Sequence, residues 1–216
     1  MAPKVKFQKE DIVNAALRVA REKGIDAVTA REVAAALQVS PRPIFTWFDT
    51  MDALKAEVFA YAKGLYRSYI ERGLAEPIPF LGVGRQYIRF AKDEPELYKL
   101  LFLTRTDGVI GGAMEALKLS QELVRESIMR IYHLDAHAAD CYFRDLWLMS
   151  FSFATLIVTD GCPFTEEQMS AVFSEVSLSI CKAYKEIPGL PEGNYDKDAL
   201  FRALVSRPED GSAEQT

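Results

Sequence analysis

The sequence predicts an all-α protein, in which a small N-terminal helix-turn-helix unit precedes a larger helical unit. Three observations carry this. Apolar residues recur at helical spacing in several stretches, no stretch alternates apolar and polar residues over a strand's length, and helix caps and breakers punctuate the chain at intervals. In the first expected helix, residues 8–23, Ile12, Ala16, Val19 and Ala20 form an apolar stripe opposite Asp11, Asn14, Arg18, Arg21 and Glu22. Gly24 supplies a left-handed cap. The run Thr29-Ala30-Arg31-Glu32 reads as a capping box opening a short second helix that ends at Leu37.

Ser40 and Pro41 read as the cap and first residue of a third helix ending near Phe48, because proline at that place loses no hydrogen bond. A longer fourth helix starts about Thr50 and ends near Gly73, with Met51, Leu54, Val58, Tyr61, Leu65 and Tyr69 as its stripe. Pro77 and Pro79 break the pattern before a helix over 81–92, and Pro95 opens another over 96–103. Residues 104–112 read as a loop. Helices are then expected over 113–132, from the Asp135 cap to Asp160, and from the capping box at Thr165 and Gln168 to Tyr184, where Met169, Val172, Phe173, Val176 and Ile180 form the stripe. Residues 146–159 are apolar all round, which predicts burial on every side and packing against a second subunit. Past Pro188 a short helix over 197–205 is expected, and a disordered end from Pro208.

Composition narrows the function. With 216 residues, 49% hydrophobic and 26% charged, the chain has the make-up of a folded domain and not of a disordered or collagen-like one. Cys141, Cys162 and Cys181 are odd in number and widely spaced, so neither a disulfide framework nor a zinc ribbon is encoded, and a reducing cytoplasm fits. No charged-then-apolar leader opens the chain. The 146–159 run is shorter than the roughly 20 residues of a membrane helix, so no membrane partner is expected. Residues 1–60 hold nine Lys/Arg against eight Asp/Glu, a balance of +1, while the rest carries −6 of the total −5. A pI of 5.2 argues against indiscriminate nucleic-acid coating and leaves room for a local basic surface.

Two short helices joined around Gln38 and Val39 have the dimensions of a helix-turn-helix. The third helix would display Arg42, Thr46 and Trp47 while Ile44, Phe45 and Phe48 face inward. Backbone N–H groups at Thr29 and Ser40 would bind phosphates in addition to the capping. Lys4 and Lys6, on an arm ahead of the first helix, would add backbone or minor-groove contacts. The candidate DNA-binding residues are therefore Lys4, Lys6, Thr29, Arg31, Ser40, Pro41, Arg42, Thr46 and Trp47. Arg42 either reads guanine or is solvated beside the turn, and Trp47 lies on the sugar–phosphate backbone or packs over the fourth helix.

Here the sequence resembles a known family. Ile12-Val13-Asn14-Ala15-Ala16-Leu17, Gly24, Thr29-Ala30-Arg31-Glu32-Val33-Ala34, Val39-Ser40, Phe45, Phe48 and Leu54 are similar to the N-terminal domain of the tetracycline-repressor-like (TetR) regulators, over about residues 8–55. The resemblance implies a homodimeric all-helical transcriptional regulator, most naturally a repressor. Its N-terminal domain would read a palindromic double-stranded DNA operator, and its C-terminal domain would bind a small-molecule effector and dimerise through the last two long helices. The expected division is a DNA-binding domain at 1–50, a ligand-binding and dimerisation domain at 51–187 and a tail at 188–216. Against the family pattern, Gln38 stands for a turn glycine, Phe45 for tyrosine, Met51 for lysine, and Arg42 with Pro43 for a small pair. These changes weaken the phosphate grip, and the alternative reading is a ligand- or protein-binding helical module with reduced DNA affinity.

For an effector of apolar or aromatic character, the candidate pocket residues are Phe90, Tyr98, Phe102, Phe143, Trp147 and Phe151, with Arg89, Arg105, Arg144 and Asp145 as polar partners. His133 and His137 have a chelating spacing, but the glutamate of a metalloprotease is missing and Asp135 caps the helix between them. No metal, no cofactor and no enzymatic activity are expected, since neither a nucleophile–base cluster nor a phosphate loop is present.

Overall fold

The computed structural model describes residues 7–104 and 112–205. Among the described residues every regular element is a helix. The expected elements Lys4, Lys6, Arg105, most of the 104–112 loop and the end from Pro208 lie outside the described residues.

The N-terminal unit begins with α1 (Lys9–Lys23), whose first turn is fixed by the Gln8 N–H donating to Asp11 Oδ2 at 2.9 Å. Ile12, Ala15, Ala16, Leu17, Val19 and Ala20 bury its inner face. Gly24 ends it with positive φ, as expected, although at φ 82 and ψ 169 it is in an extended region open to glycine and not in the left-handed helical one. In α2 (Ala30–Ala36) the Thr29 hydroxyl accepts from the Glu32 N–H at 3.3 Å. The reciprocal half of the expected capping box is absent. The Glu32 carboxylate turns instead to Lys23 Nζ at 2.6 Å, because an ammonium is a stronger partner than one backbone N–H.

The expected third helix is the main correction. Residues 41–48 form a turn followed by a single 3-10 turn, Ile44–Thr46, and Ser40 does not cap a helix. The second of two prolines explains it. Pro43 has no N–H to donate, and it biases Arg42 before it away from helical backbone. Phe45 is also corrected: it is 50% exposed, while Ile44 and Phe48, four residues apart, share the buried face.

The helix α3 (Met51–Leu74), capped by Thr50 Oγ1 accepting from the Ala53 N–H at 3.1 Å, runs from this unit into the larger one. Its buried side centres on Leu54, Val58, Ala62, Tyr66 and Ile70, with Tyr61 exposed, so the stripe is rotated from the expected one. Then α4 (Pro79–Asp93) packs back along α3. Where they cross, a Cβ on Gly73 would sit 2.6 Å from the Val83 backbone, so glycine is what permits the approach. The short α5 (Pro95–Tyr98) widens into a π-turn over Lys99–Leu103 that buries Leu100, Leu101 and Phe102 together.

Three long helices complete the larger unit: α6 (Ala113–Tyr132), α7 (Ala136–Val158) and α8 (Glu166–Glu186), with α9 (Lys197–Val205) after them. Asp135 caps α7 and the Thr165–Gln168 capping box opens α8, as expected. Helix α7 is long and apolar enough, by length and composition, to cross a membrane, and half of its most apolar window is buried against the rest of the fold. Within the single chain one side of it is left open, where Leu148 is 51% exposed. On α8 only Met169 is fully buried, and Leu178 is 72% exposed.

Candidate functional site

Two regions are candidate sites. The first is the surface after α2. There Gln38 adopts φ 57, the left-handed turn a glycine would take freely, and lets the chain reverse. Ile44 and Phe48 anchor the next segment in the core, so Ser40, Pro41, Arg42, Thr46 and Trp47 are left exposed together. Thr29 and Arg31, at the start of α2, are exposed as well. Trp47 is 47% exposed, and its indole N–H donates to the Phe7 carbonyl at 3.1 Å. The ring thus secures the chain entering α1, which neither of the expected alternatives described. Sequence reasoning missed Phe45 as an exposed member of this surface. The four-residue spacing of Ile44 and Phe48 was the signal that excluded it from the core.

Beneath this surface, Lys9 pairs with Glu57 and lies over the Phe48 ring, 5.5 Å from its centroid. Arg21 of α1 reaches across to Glu94, between α4 and α5, and its guanidinium stands 5.5 Å from the Tyr61 ring centroid. The Glu94 carboxylate holds Arg21 above the ordinary arginine value.

The second region is a cavity of about 220 Å³ in the larger unit. Tyr66 and Ile70 of α3, Leu81, Val83, Gly84 and Tyr87 of α4, Tyr132 of α6, Phe143, Leu146, Trp147 and Ser150 of α7, and Phe173, Ser174, Ser177 and Leu178 of α8 line it. The exposed Ile78 and Leu178 mark its rim. Among the described residues no Asp, Glu, Lys, Arg or His faces it. Its hydroxyls are mostly committed. Ser120 Oγ donates to the Ala116 carbonyl at 2.8 Å, so the Tyr66 hydroxyl, 2.6 Å away, donates to Ser120. Tyr87 and Tyr98 share a hydrogen bond of 3.2 Å, Ser150 donates to the Leu146 carbonyl at 2.8 Å, and Ser177 is 2.6 Å from the Tyr142 hydroxyl. Burial pushes the Tyr66 and Tyr87 hydroxyls well above the usual phenol value. The Trp147 indole N–H, turned toward Tyr66, is buried and meets no acceptor in hydrogen-bonding geometry.

Of the six expected pocket residues the cavity takes Phe143 and Trp147. The others stand behind its wall. Phe90 packs 5.4 Å from Tyr66, Tyr98 5.9 Å from Tyr87, Phe102 5.2 Å from Tyr66, and Phe151 stacks on Trp147 at 5.3 Å between centroids. Phe90 and Phe151 lie about one helical turn past Tyr87 and Trp147, where ring-on-ring packing fills the space. The polar partners are elsewhere too: Arg89 pairs with Asp93, and Arg144 pairs with Asp145, which also accepts from the Tyr184 hydroxyl at 2.8 Å. A charged groove of about 850 Å³ adjoins the cavity at Leu81 and Phe173. Its cations are tied to carboxylates, Arg85 to Glu76, Arg89 to Asp93 and Lys92 to Glu166. His133, at φ 55, closes α6, and His137 Nε2 sits 3.2 Å from the Pro191 carbonyl, so the two histidines serve separate ends of the α6–α7 turn.

Residues 12–58 match the family described as "Bacterial regulatory proteins, tetR family". The N-terminal unit is thus similar to the N-terminal domain of the tetR regulators. The match spans α1, α2, the 3-10 turn and the start of α3, which is the DNA-binding helix-turn-helix domain of this family. A similar solved structure is the fatty acid degradation regulator FadR from Bacillus halodurans, at 18% identity and a TM-score of 0.52, covering 82% of this chain and 97% of that one. At that identity the likeness is one of fold, and its coverage takes in the larger unit as well as the N-terminal one. No curated protein matches the chain.

Proposed function

We propose that this chain is a tetR-family regulator, a cytoplasmic homodimer that represses transcription from a palindromic operator and is released by a small molecule held in the cavity. It has no catalytic role in this reading. The supporting observation is that one chain carries both an exposed Arg42–Phe45–Thr46–Trp47 surface on a buried Ile44–Phe48 anchor and an apolar cavity in its second unit. Thr29, Arg31, Ser40 and Pro41 flank that surface and would hold phosphates, while Arg42 and Thr46 would reach base edges. The unit boundaries follow: DNA binding up to about residue 50, ligand binding and dimerisation over 51–187, and a tail over 188–216.

The exposed apolar residues Leu148 of α7 and Leu178 of α8 support dimerisation through these two helices. Such a four-helix interface would set the two reading segments about 34–36 Å apart, one turn of the duplex. An effector that favours the conformer with the wrong spacing lowers operator affinity by the ratio of its affinities for the two conformers. A gel shift and footprint on DNA flanking the protein's own coding sequence tests this reading. A protected palindrome is the expected outcome, and a dimer with no preference over random duplex at low salt ends it.

A further inference from the structure

Resting on the reading of the cavity as the effector site, we propose that its ligand is an uncharged, largely apolar molecule with a hydrogen-bond acceptor, such as an ester or ketone carbonyl, that takes the Trp147 indole N–H. Three observations support it. The first is charge: among the described residues no ionisable acid or base other than tyrosine lines the cavity, so an ion inside it would lose hydration with no opposite charge in return. The tyrosines already register that penalty, since burial pushes the Tyr66 and Tyr87 hydroxyls toward their neutral forms. The adjoining groove does not relieve it, because Arg85, Arg89 and Lys92 there are each engaged by a carboxylate.

The second is the donor and acceptor balance. Tyr66 gives its proton to Ser120, and Ser150 and Ser174 give theirs to the carbonyls of Leu146 and Ser170. The Trp147 N–H, on a side chain only 5% exposed, is turned toward the Tyr66 oxygen but does not reach it in hydrogen-bonding geometry. A buried donor without a partner is costly, and a ligand acceptor removes that cost while a ligand donor does not. The third is shape. On α4 the missing side chain of Gly84 opens the wall, and a Cβ there would stand 3.5 Å from the Phe173 ring, so a larger side chain would grow into the ligand's space.

Calorimetric titration of the full chain with methyl decanoate, decanoate and decylammonium at about pH 8, where both ions are charged, separates the possibilities. The ester should bind saturably and each ion at least about tenfold more weakly. Trp147→Phe should weaken the ester about tenfold, and Gly84→Leu should abolish its binding, with the helical circular dichroism of both variants unchanged. Ions that bind as tightly as the ester overturn the charge assignment, and an ester indifferent to Trp147→Phe overturns the acceptor, both leaving the cavity as effector site. Ester binding that survives Gly84→Leu places the ligand elsewhere. If none of the three binds, the effector-site reading itself fails.

Discussion

Arg21 holds Glu94 through two parallel hydrogen bonds of 2.8 and 2.7 Å across 73 residues of sequence. The pair joins α1, in the N-terminal unit, to the end of α4, the helix whose Gly84 and Tyr87 line the cavity. Gly24 reinforces the same junction, since its missing Cβ would lie 3.0 Å from the Glu96 carboxylate of α5. A forked, planar donor fixes orientation as well as distance, which makes the pair a directional contact between α1 and the end of α4.

The clamp is therefore expected to have a measurable coupling energy. The Glu94 side chain is 15% exposed and that of Arg21 36%, an arrangement between a surface pair and a buried one. A double-mutant cycle of Arg21→Ala and Glu94→Ala in urea unfolding should give about 1 kcal/mol. A value near zero would show that the junction depends on apolar packing alone.

Gln38 offers a test of backbone strain. Its φ of 57 costs a side-chain-bearing residue about 1 kcal/mol relative to glycine. Gln38→Gly should raise stability by up to about 1 kcal/mol, with the greater unfolded-state freedom of glycine offsetting part of the gain. Gln38→Val should lower stability, since a β-branched residue tolerates this conformation least. Denaturant midpoints measured side by side would check both, and equal midpoints for all three proteins would refute the strain.

Gln38 also shows what was readable in the sequence. Its positive φ agrees with the family resemblance, which sets a glycine at this turn, and the starts of α3, α7 and α8 followed from Thr50, Asp135 and Thr165, because caps act through the adjacent backbone. The third helix was misread because Ser40-Pro41 imitates a helix start, whereas the second proline, Pro43, prevents the helix from propagating. The cavity was half legible. Periodicity tells which face of α4 or α7 is buried and not where along that face a void opens, so Phe90 and Phe151 could not be told from Tyr87 and Trp147. Ser150, Ser174 and Ser177, small hydroxyls on otherwise apolar faces, were the missed signal.

Acid should unfold the protein partly through two carboxylates. Arg85 holds Glu76, and Lys23 holds Glu32, below the ordinary value of 4.5. A carboxylate depressed in the folded state contributes stability that is complete above its unfolded value and lost as pH falls through the folded one. The melting temperature should thus hold from neutral pH down to about 4.5 and then drop. The double variant Glu32→Gln, Glu76→Gln should be slightly less stable at neutral pH, with a shallower acid limb. An acid limb of unchanged slope would remove these pairs from the account.

The proposed DNA-reading surface makes the sharpest demand. Arg42 is exposed beside Phe45, and the pyrrolidine of Pro43 and the buried Ile44 limit where its backbone can go, so a charge is presented from a constrained turn in place of a helix end. If the guanidinium reads a base, Arg42→Ala should relax sequence preference at one operator position and cost about 1–3 kcal/mol. If it neutralises a phosphate, affinity should fall alike on all sequences and the salt slope of log K should drop by about 1. Phe45 gives the converse test: at 50% exposure a hydroxyl there would stand in solvent on the same face, and Phe45→Tyr should tighten operator binding several-fold, by about the 1 kcal/mol of one added hydrogen bond. Fluorescence anisotropy across a salt series distinguishes these outcomes, and indifference of both variants would move the operator contact away from residues 40–47.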